Sequence, residues 1–314
     1  MHANPTSGIG DAGKQVWYKK SATQKTIFVI LAVVPSYIAY LLFGLYPNAL
    51  GIYYSVLKWD GFNEPEFIGL QNYISLFKDE YVWRALYHNL LLALTIPVSV
   101  IILSLLIAYL LSNRNFIENG FYKIVFFFPN VLSAIVVSLL WAFIYDGSNG
   151  LLNGVLKLLG IPVGELYWLG DERFALWALI PPSVWGGVGF YMIIFMNAMK
   201  AIPKSIYEAA ILEGANHYVR LFKITLPLIM GVVRVSMLFL MLGIFKGFEG
   251  ILIMTNGGPS GSTDVIGLYM FNLAFGSGYH DYGYASAIGM FLFVVMIVAN
   301  KAIDKFVPKH DLEF

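Results

Sequence analysis

The sequence predicts an all-α, polytopic membrane protein with six transmembrane helices and both termini cytoplasmic, and three observations carry that expectation. Of its 314 residues 58% are hydrophobic and 12% charged, with a mean hydropathy of +0.70, which is more apolar surface than a soluble domain of this length can bury. The apolar residues gather in six stretches, each long enough for a hydrocarbon core of ~30 Å. These run from Thr26 to Tyr46, Leu86 to Leu111, Tyr122 to Tyr145, Phe174 to Asn197, Leu228 to Leu252 and Tyr284 to Ile303. Lys and Arg are shared unequally between the two sets of loops: of the 20, thirteen lie on the side holding both termini and five on the other, with Arg234 and Lys246 inside spans. The expected organisation is one membrane domain over 26–306, a cytoplasmic N-terminal segment 1–25 and a cytoplasmic tail 307–314, without room for a soluble catalytic domain.

Taken in order, Met1 to Lys25 is polar and basic. The stretch after it is too long for a signal peptide and lacks a small-residue cleavage site, so it is expected to stay as the first span. On the outer side, Ser55 to Asp79 alternates turn residues with aromatics, as in Trp59-Asp60-Gly61-Phe62 and Phe67-Ile68-Gly69-Leu70-Gln71-Asn72-Tyr73, and should pack as an ordered loop. Pro97, Pro129 and the Pro181-Pro182 pair fall within spans, where each tends to kink its helix, unless neighbouring helices satisfy the freed carbonyls without motion. Gly150-Leu151-Leu152-Asn153 to Gly160, followed by Trp168-Leu169, reads as a short amphipathic helix on the outer face. Gly186, Gly187 and Gly189 suit close helix packing in the fourth span. After the fifth span, Thr255-Asn256-Gly257-Gly258-Pro259 with Ser262-Thr263 is rich in turn residues. The absence of cysteine excludes disulfides, thiolate metal sites and thiol nucleophiles. A net charge of +1 and the lack of a basic aromatic stripe give no sign of nucleic acid.

The segment from Met199 to Leu226 belongs to no span and separates the first four from the last two. Pro203 suits a helix's first turn, and Ser205 with Glu208 three residues on has the capping-box spacing, so a short helix is expected from about Ser205. Ala209, Ala210 and Leu212 would form a compact surface and Gly214 a turn. Val219, Leu221, Phe222 and Ile224 give a second apolar stripe among Arg220 and Lys223, and Pro227 opens a new helix. Spacing alone fits a functional helix-turn-helix at the membrane face and a plain interfacial connector equally well.

Glu208-Ala209-Ala210, then Gly214, then Ile224-x-Leu226-Pro227 resembles the coupling loop of binding-protein-dependent ABC importer permeases. The segments Gly69-Leu70-x-Asn72-Tyr73, Gly150-Leu151-Leu152-Asn153 and Thr255-x-Gly257-Gly258-Pro259 are similar to those of the carbohydrate-type members, so the resemblance runs from about Val34 to Phe306. It implies that the loop inserts into a cleft on a cytoplasmic ATPase, with Glu208, Ala209, Ala210, Gly214, Ile224, Leu226 and Pro227 as the mechanical contact. It further implies a second permease subunit, two ATPase subunits that hold the ATP and magnesium, and an extracytoplasmic solute-binding protein that delivers a sugar or related polyol. No cofactor would be bound by this chain itself. It contains no Gly-x-x-x-x-Gly-Lys-Ser/Thr phosphate loop, so hydrolysis belongs on a partner.

Candidates for the substrate pathway are polar or aromatic residues inside apolar spans: Asn89, Asn130, Trp141, Tyr145, Trp185, Tyr191 and Phe245. Except for Phe245, they combine flat apolar faces or hydrogen-bonding edges suited to a sugar, although helix packing uses the same side chains. Lys246 and Glu249 are three apart and expected to pair on one face of the fifth helix, facing a cavity or closing the bundle near the outer interface. Arg234 could snorkel or pair with a partner chain. An ion-coupled secondary transporter of a small polar solute is the alternative, but it should show paired carboxylates or broken helices repeated in both halves. An intramembrane enzyme would need His, Asp or Ser constellations within the spans, whereas the five histidines lie near span ends or in loops and no His-Glu-x-x-His occurs.

Overall fold

The computed structural model describes residues 10–113, 119–162, 164, 166–278 and 280–306, with side chains from Gln24 onward except at 113 and 306. The first nine residues of the expected N-terminal segment and the expected tail 307–314 lie outside the described residues. The chain divides into two compact units, 1–54 and 55–314. The first is one long helical run: α1 (Gly10–Tyr40) passes through a wide π turn at Leu41–Leu45 into α2 (Tyr46–Tyr54). From Gln24 to Tyr54 apolar side chains cover its faces, and that stretch is long and apolar enough to cross a membrane.

The second unit is also helical, apart from a two-stranded antiparallel ribbon, β1 (Leu57–Lys58) with β2 (Glu66–Phe67). The ribbon belongs to the loop expected to be ordered. Asn72, at the start of α3 (Gln71–Lys78), donates to the carbonyls of Ser55 and Leu57 at 2.9 and 2.8 Å and closes that loop. The 34-residue α4 (Glu80–Asn113) is the central post. It packs on α9 (Ile180–Ala201), where Ser104 donates to the Val188 carbonyl at 2.9 Å and Met192 and Phe195 are fully buried. Gly189 admits the backbone of α5 (Asn119–Val131), since a Cβ there would sit 2.0 Å from the Phe126 carbonyl oxygen.

Two expected spans are broken rather than continuous. After α5 the chain turns by 98° into α6 (Ala134–Ile144), because Pro129 weakens the last turn of α5 and the Ser133 hydroxyl caps a new helix by accepting from the Val136 N–H. The fifth span bends by 71° at Ile229, between α12 (Leu226–Leu228) and α13 (Met230–Lys246), and breaks again at Gly247 before α14 (Glu249–Met254). Pro181 and Pro182 occupy the first turn of α9, where the missing N–H is no loss, and the expected fourth span is interrupted just before them, at Leu179, after the short helix α8 (Ala175–Ala178). Among the described residues, four helices are long and apolar enough to cross a membrane, and six if each bent pair counts as one.

A second core joins α3, α4 and α13 to α15 (Ile266–Phe275) and α16 (Tyr282–Phe306), with Leu76, Val82, Phe245, Ile266 and Ile288 at 0–1% exposure. The Asp79 carboxylate accepts from the Tyr269 and Tyr284 hydroxyls at 2.8 and 2.7 Å, pinning both of these helices to the head of α4. Arg234 is buried and forms an ion pair with Asp304, so its partner lies in this chain, on α16. A short helix, α7 (Leu151–Leu158), forms where expected. Its Asn153 donates to the Gly147 and Leu166 carbonyls and accepts from the Trp168 indole at 2.8 Å.

Candidate functional site

The loop between α9 and α13 folds as two short helical arms around Gly214. The first, α10 (Lys204–Leu212), starts two residues earlier than the capping-box spacing suggests. Pro203 takes the cap position and Ser205 caps nothing. Gly214 has φ +81°, its N–H bonds to the Ile211 carbonyl, and the Ala215 N–H reaches the Ala210 carbonyl, the paired closure that ends a helix in a left-handed residue. The second arm opens at Asn216, whose side chain accepts from the Val219 N–H at 2.9 Å. It runs through α11 (His217–Val219), a π turn at Arg220–Thr225 and α12. That turn precedes Pro227 just as Leu41–Leu45 precedes Pro47, and in both the residue before the proline bonds five residues back instead of four. The wider turn relieves the carbonyl that a proline ring would otherwise crowd.

The π turn divides the expected apolar stripe. Leu221 and Thr225 turn inward, while Phe222 is 57% exposed and Tyr218 76%. With Ile211 and with Leu212 at 89%, they are the bare apolar side chains, the crest, of the two arms. Glu208, Ala209 and Gly214 are exposed, Ala210 is buried, and Ile224, Leu226 and Pro227 are half-buried. Tyr218 was missed in the sequence because a lone tyrosine after a histidine fits no regular helical face once the period changes.

A cavity of about 320 Å³ opens between α4, α5, α6, α9, α13 and α14. Leu92, Ile96, Leu132 and Ile251 supply its apolar walls, and Asn130, Ser138, Ser183 and Glu249 its polar side chains. Gly186, Gly243, Gly247 and Gly250 leave backbone open to it. Asn130 donates to the Gly186 carbonyl at 3.3 Å, and the Glu249 carboxylate accepts from the Phe248 N–H at 3.2 Å. Among the described residues of this lining, Glu249 is the only charged side chain. Among the described residues, no three of His, Asp or Glu converge to hold a metal ion.

The other expected pathway residues divide. Trp141 and Trp185 meet edge to face at 6.1 Å and line a separate, nearly apolar groove of about 410 Å³ with Val125, Pro129 and Val188. Tyr145 packs at a tilt against Trp141, with ring centroids 5.3 Å apart, and is 4% exposed. Asn89 is a tie, not a wall: its side-chain oxygen accepts from the Ile266 N–H at 2.8 Å and its amide faces the Ile244 carbonyl. Phe245 and Tyr191 are core residues, at 1% and 9% exposure, because each lies on the face of its helix that meets α4 or the second core. Lys246 and Glu249 do not pair. The helix ends at Lys246, Gly247 is extended (ψ 123°), and Glu249 begins the next helix, so the spacing no longer places them on one face. Outside the spans, burial pushes the Asp264 carboxyl up against the opposing fields of Arg84 and His88, and a hydrogen bond from Arg173 foremost holds Asp171 down at about 2.

Broken apolar helices around a cavity, with an exposed crest on a loop between them, define a membrane transport component. Residues 101–310 match the family described as the binding-protein-dependent transport system inner membrane component. The diacetylchitobiose uptake system permease protein of Streptomyces coelicolor is 36% identical over 284 residues, covering 87% of this chain and 80% of its own. The multiple sugar-binding transport system permease protein of Streptococcus mutans is 33% identical over 273 residues, covering 86% and 91%. A solved chain of a bacterial alginate ABC transporter, in complex with an alginate pentasaccharide-bound periplasmic protein, shares the fold with a TM-score of 0.78 at 22% identity, covering 91% of this chain and 95% of that one. The chain belongs to this family of inner-membrane permeases: it is a multi-pass transport subunit and not an enzyme.

Proposed function

We propose that this permease is the six-span subunit of an ATP-driven importer that takes up a sugar, most simply an oligosaccharide, handed to it by an extracytoplasmic binding protein. Each bent pair counts as one span, both termini face the cytoplasm, and the segment 199–227 docks on an ATPase. A second permease completes the bundle, and two ATPase subunits hold ATP and magnesium. The names of the relatives, for diacetylchitobiose and multiple sugars, support the substrate class. The observation that carries the docking is the crest of Ile211, Leu212, Tyr218 and Phe222, left bare on a loop whose own core is otherwise closed by Ala210, Leu221 and Thr225. Large apolar side chains that protrude from a capped, hydrogen-bonded loop are the anchors of a helix-in-groove contact. Glu208 and Gly214 flank them.

In this reading, closure of the ATPases on ATP pushes the loop, the bundle turns its cavity outward to receive the sugar, and hydrolysis resets it. Asn130, Ser138, Ser183 and Glu249 offer hydroxyls, an amide and a carboxylate to a polyol, with Leu92 and Ile96 against its C–H faces. The test is purification of the wild-type chain from native membrane, followed by mass spectrometry. The expected companions are an ATPase and a second permease. A chain that emerges alone or as a homo-oligomer, with no ATPase, would return the loop to a plain connector.

A further inference from the structure

The covalent joints between the loop and the bundle are both poor transmitters of force. At one end the chain leaves α9 through an extended Ile202 (ψ 126°) before α10 begins; at the other, α12 meets α13 at a 71° bend. A push delivered across such joints becomes rotation about them. A third connection bypasses both. Tyr109, in the last turns of α4 and 5% exposed, donates from its hydroxyl to the His217 carbonyl at 3.1 Å, and its ring meets the His217 imidazole edge to face at 6.4 Å.

The loop is built to be gripped there. His217 is fixed to Arg220 by a 3.0 Å contact between its ring nitrogen and the guanidinium. Thr225 donates to the Arg220 carbonyl at 2.9 Å and meets the Tyr207 hydroxyl at 3.0 Å, so the second arm is tied to the first. The two arms therefore shift together when one is moved. On the other side of the grip, α4 stays one helix through the Pro97 at which a kink was expected, running past Ser104, bonded to α9, to Ile96 and Leu92 in the cavity wall and Asn89 against α13. From Tyr109 to Leu92 is roughly 25 Å of continuous helix at 1.5 Å per residue.

We propose that Tyr109 is a positioning residue of the transport cycle: it fastens the His217 end of the loop to α4, and α4 carries loop movement to the cavity wall. This rests on the reading of the loop as the ATPase contact. The chain has no cysteine, so one introduced by Val137→Cys, in the cavity wall but outside the polar contacts proposed for the sugar, gives a single label site on this subunit. In the purified, reconstituted complex, the rate at which a membrane-impermeant maleimide labels the introduced thiol is compared without nucleotide and with MgATP plus vanadate.

In the parent the two rates differ. Adding Tyr109→Phe, which keeps the ring and removes the hydroxyl, should leave the ATPase bound and hydrolysing while the ratio of the two rates shrinks by about 5-fold, the worth of one buried hydrogen bond. A ratio equal to the parent's overturns the proposal, because a merely structural tyrosine would leave it unmoved. Loss of the ATPase from the Tyr109→Phe complex also overturns it, by showing that the hydroxyl serves docking and not transmission. Absence of an ATPase from the parent itself refutes the docking reading, and the proposal falls with it.

Discussion

Alanine at Gly189 and alanine at Gly186 should change stability in opposite directions, although the two positions lie three residues apart on the same helix. A Cβ at Gly189 would sit 2.0 Å from the Phe126 carbonyl oxygen and 2.7 Å from the Phe127 Cα, both backbone atoms that no rotamer change can move. Relaxed contacts need about 3.5 Å, so α5 and α9 must separate by more than roughly 1 Å along that line. Forced overpacking of this kind costs about 1–3 kcal/mol. At Gly186 nothing lies within 4 Å of the added methyl, and the better helix propensity of alanine stabilises by about 0.4–1 kcal/mol. The two variants thus differ by about 1.5–4 kcal/mol, a factor of ten to several hundred in the folding equilibrium at about 1.4 kcal/mol per tenfold. Thermal unfolding of the detergent-purified protein, followed by size-exclusion of the surviving fraction, should place Gly189→Ala below the wild type and Gly186→Ala at or above it. If Gly189→Ala melted with Gly186→Ala, the close approach of α5 to α9 would be wrong, and with it the wall that sets Asn130 against Gly186.

Leu212→Ala removes a side chain that is 89% exposed, so the fold should be untouched, yet ATPase affinity should fall by roughly tenfold to a hundredfold, the worth of about 1.5–3 kcal/mol of burial in a partner cleft. Quantitative pull-down with graded ATPase concentrations reads this, and unchanged affinity would remove the crest from the interface. Asn153→Ala strands the Trp168 indole and two carbonyls, and should loosen the 147–168 region by about 1–3 kcal/mol, visible as a red-shifted tryptophan emission. The Asp171 carboxyl is depressed from its ordinary 3.8 to about 2, so its tie to Arg173 is complete above 3.8 and is lost as pH falls through about 2. Arg173→Gln should bring it back toward the ordinary value in a ¹³C-carboxyl NMR titration, and an unmoved midpoint would exclude Arg173 as the cause.

The class of protein was legible because it depends on sums and spacings. Composition marks a membrane chain, and Glu208 to Pro227 carries a spacing that the folded loop uses, with Gly214 left-handed where a turn was expected. Asn89, Tyr191 and Phe245 were not legible as core residues. In a span that is apolar all round, no periodicity tells which face meets lipid, cavity or a neighbouring helix. Pro129 signalled a bend in the third span, though not its size, whereas the break at Gly247 is decided by one glycine that carries no distinguishing signal inside a long apolar run. For the same reason Lys246 and Glu249 were expected on one face. The apolar run Ile266–Phe275 escaped notice because it is too short to cross a bilayer, and its role, receiving the Asn89 side chain on the Ile266 N–H, is set by residues far away in sequence.

The π turn at Arg220–Thr225 stores one spare residue of chain. Such slack can migrate along an ordinary helix, as each amide in turn trades one carbonyl for the next. Here it cannot travel forward, since Pro227 has no amide to trade. The surplus is trapped between Asn216, whose side chain anchors the start of the arm, and that proline. The joint before α13 therefore holds a fixed reserve of length that can be drawn only toward the loop, never into the membrane helix.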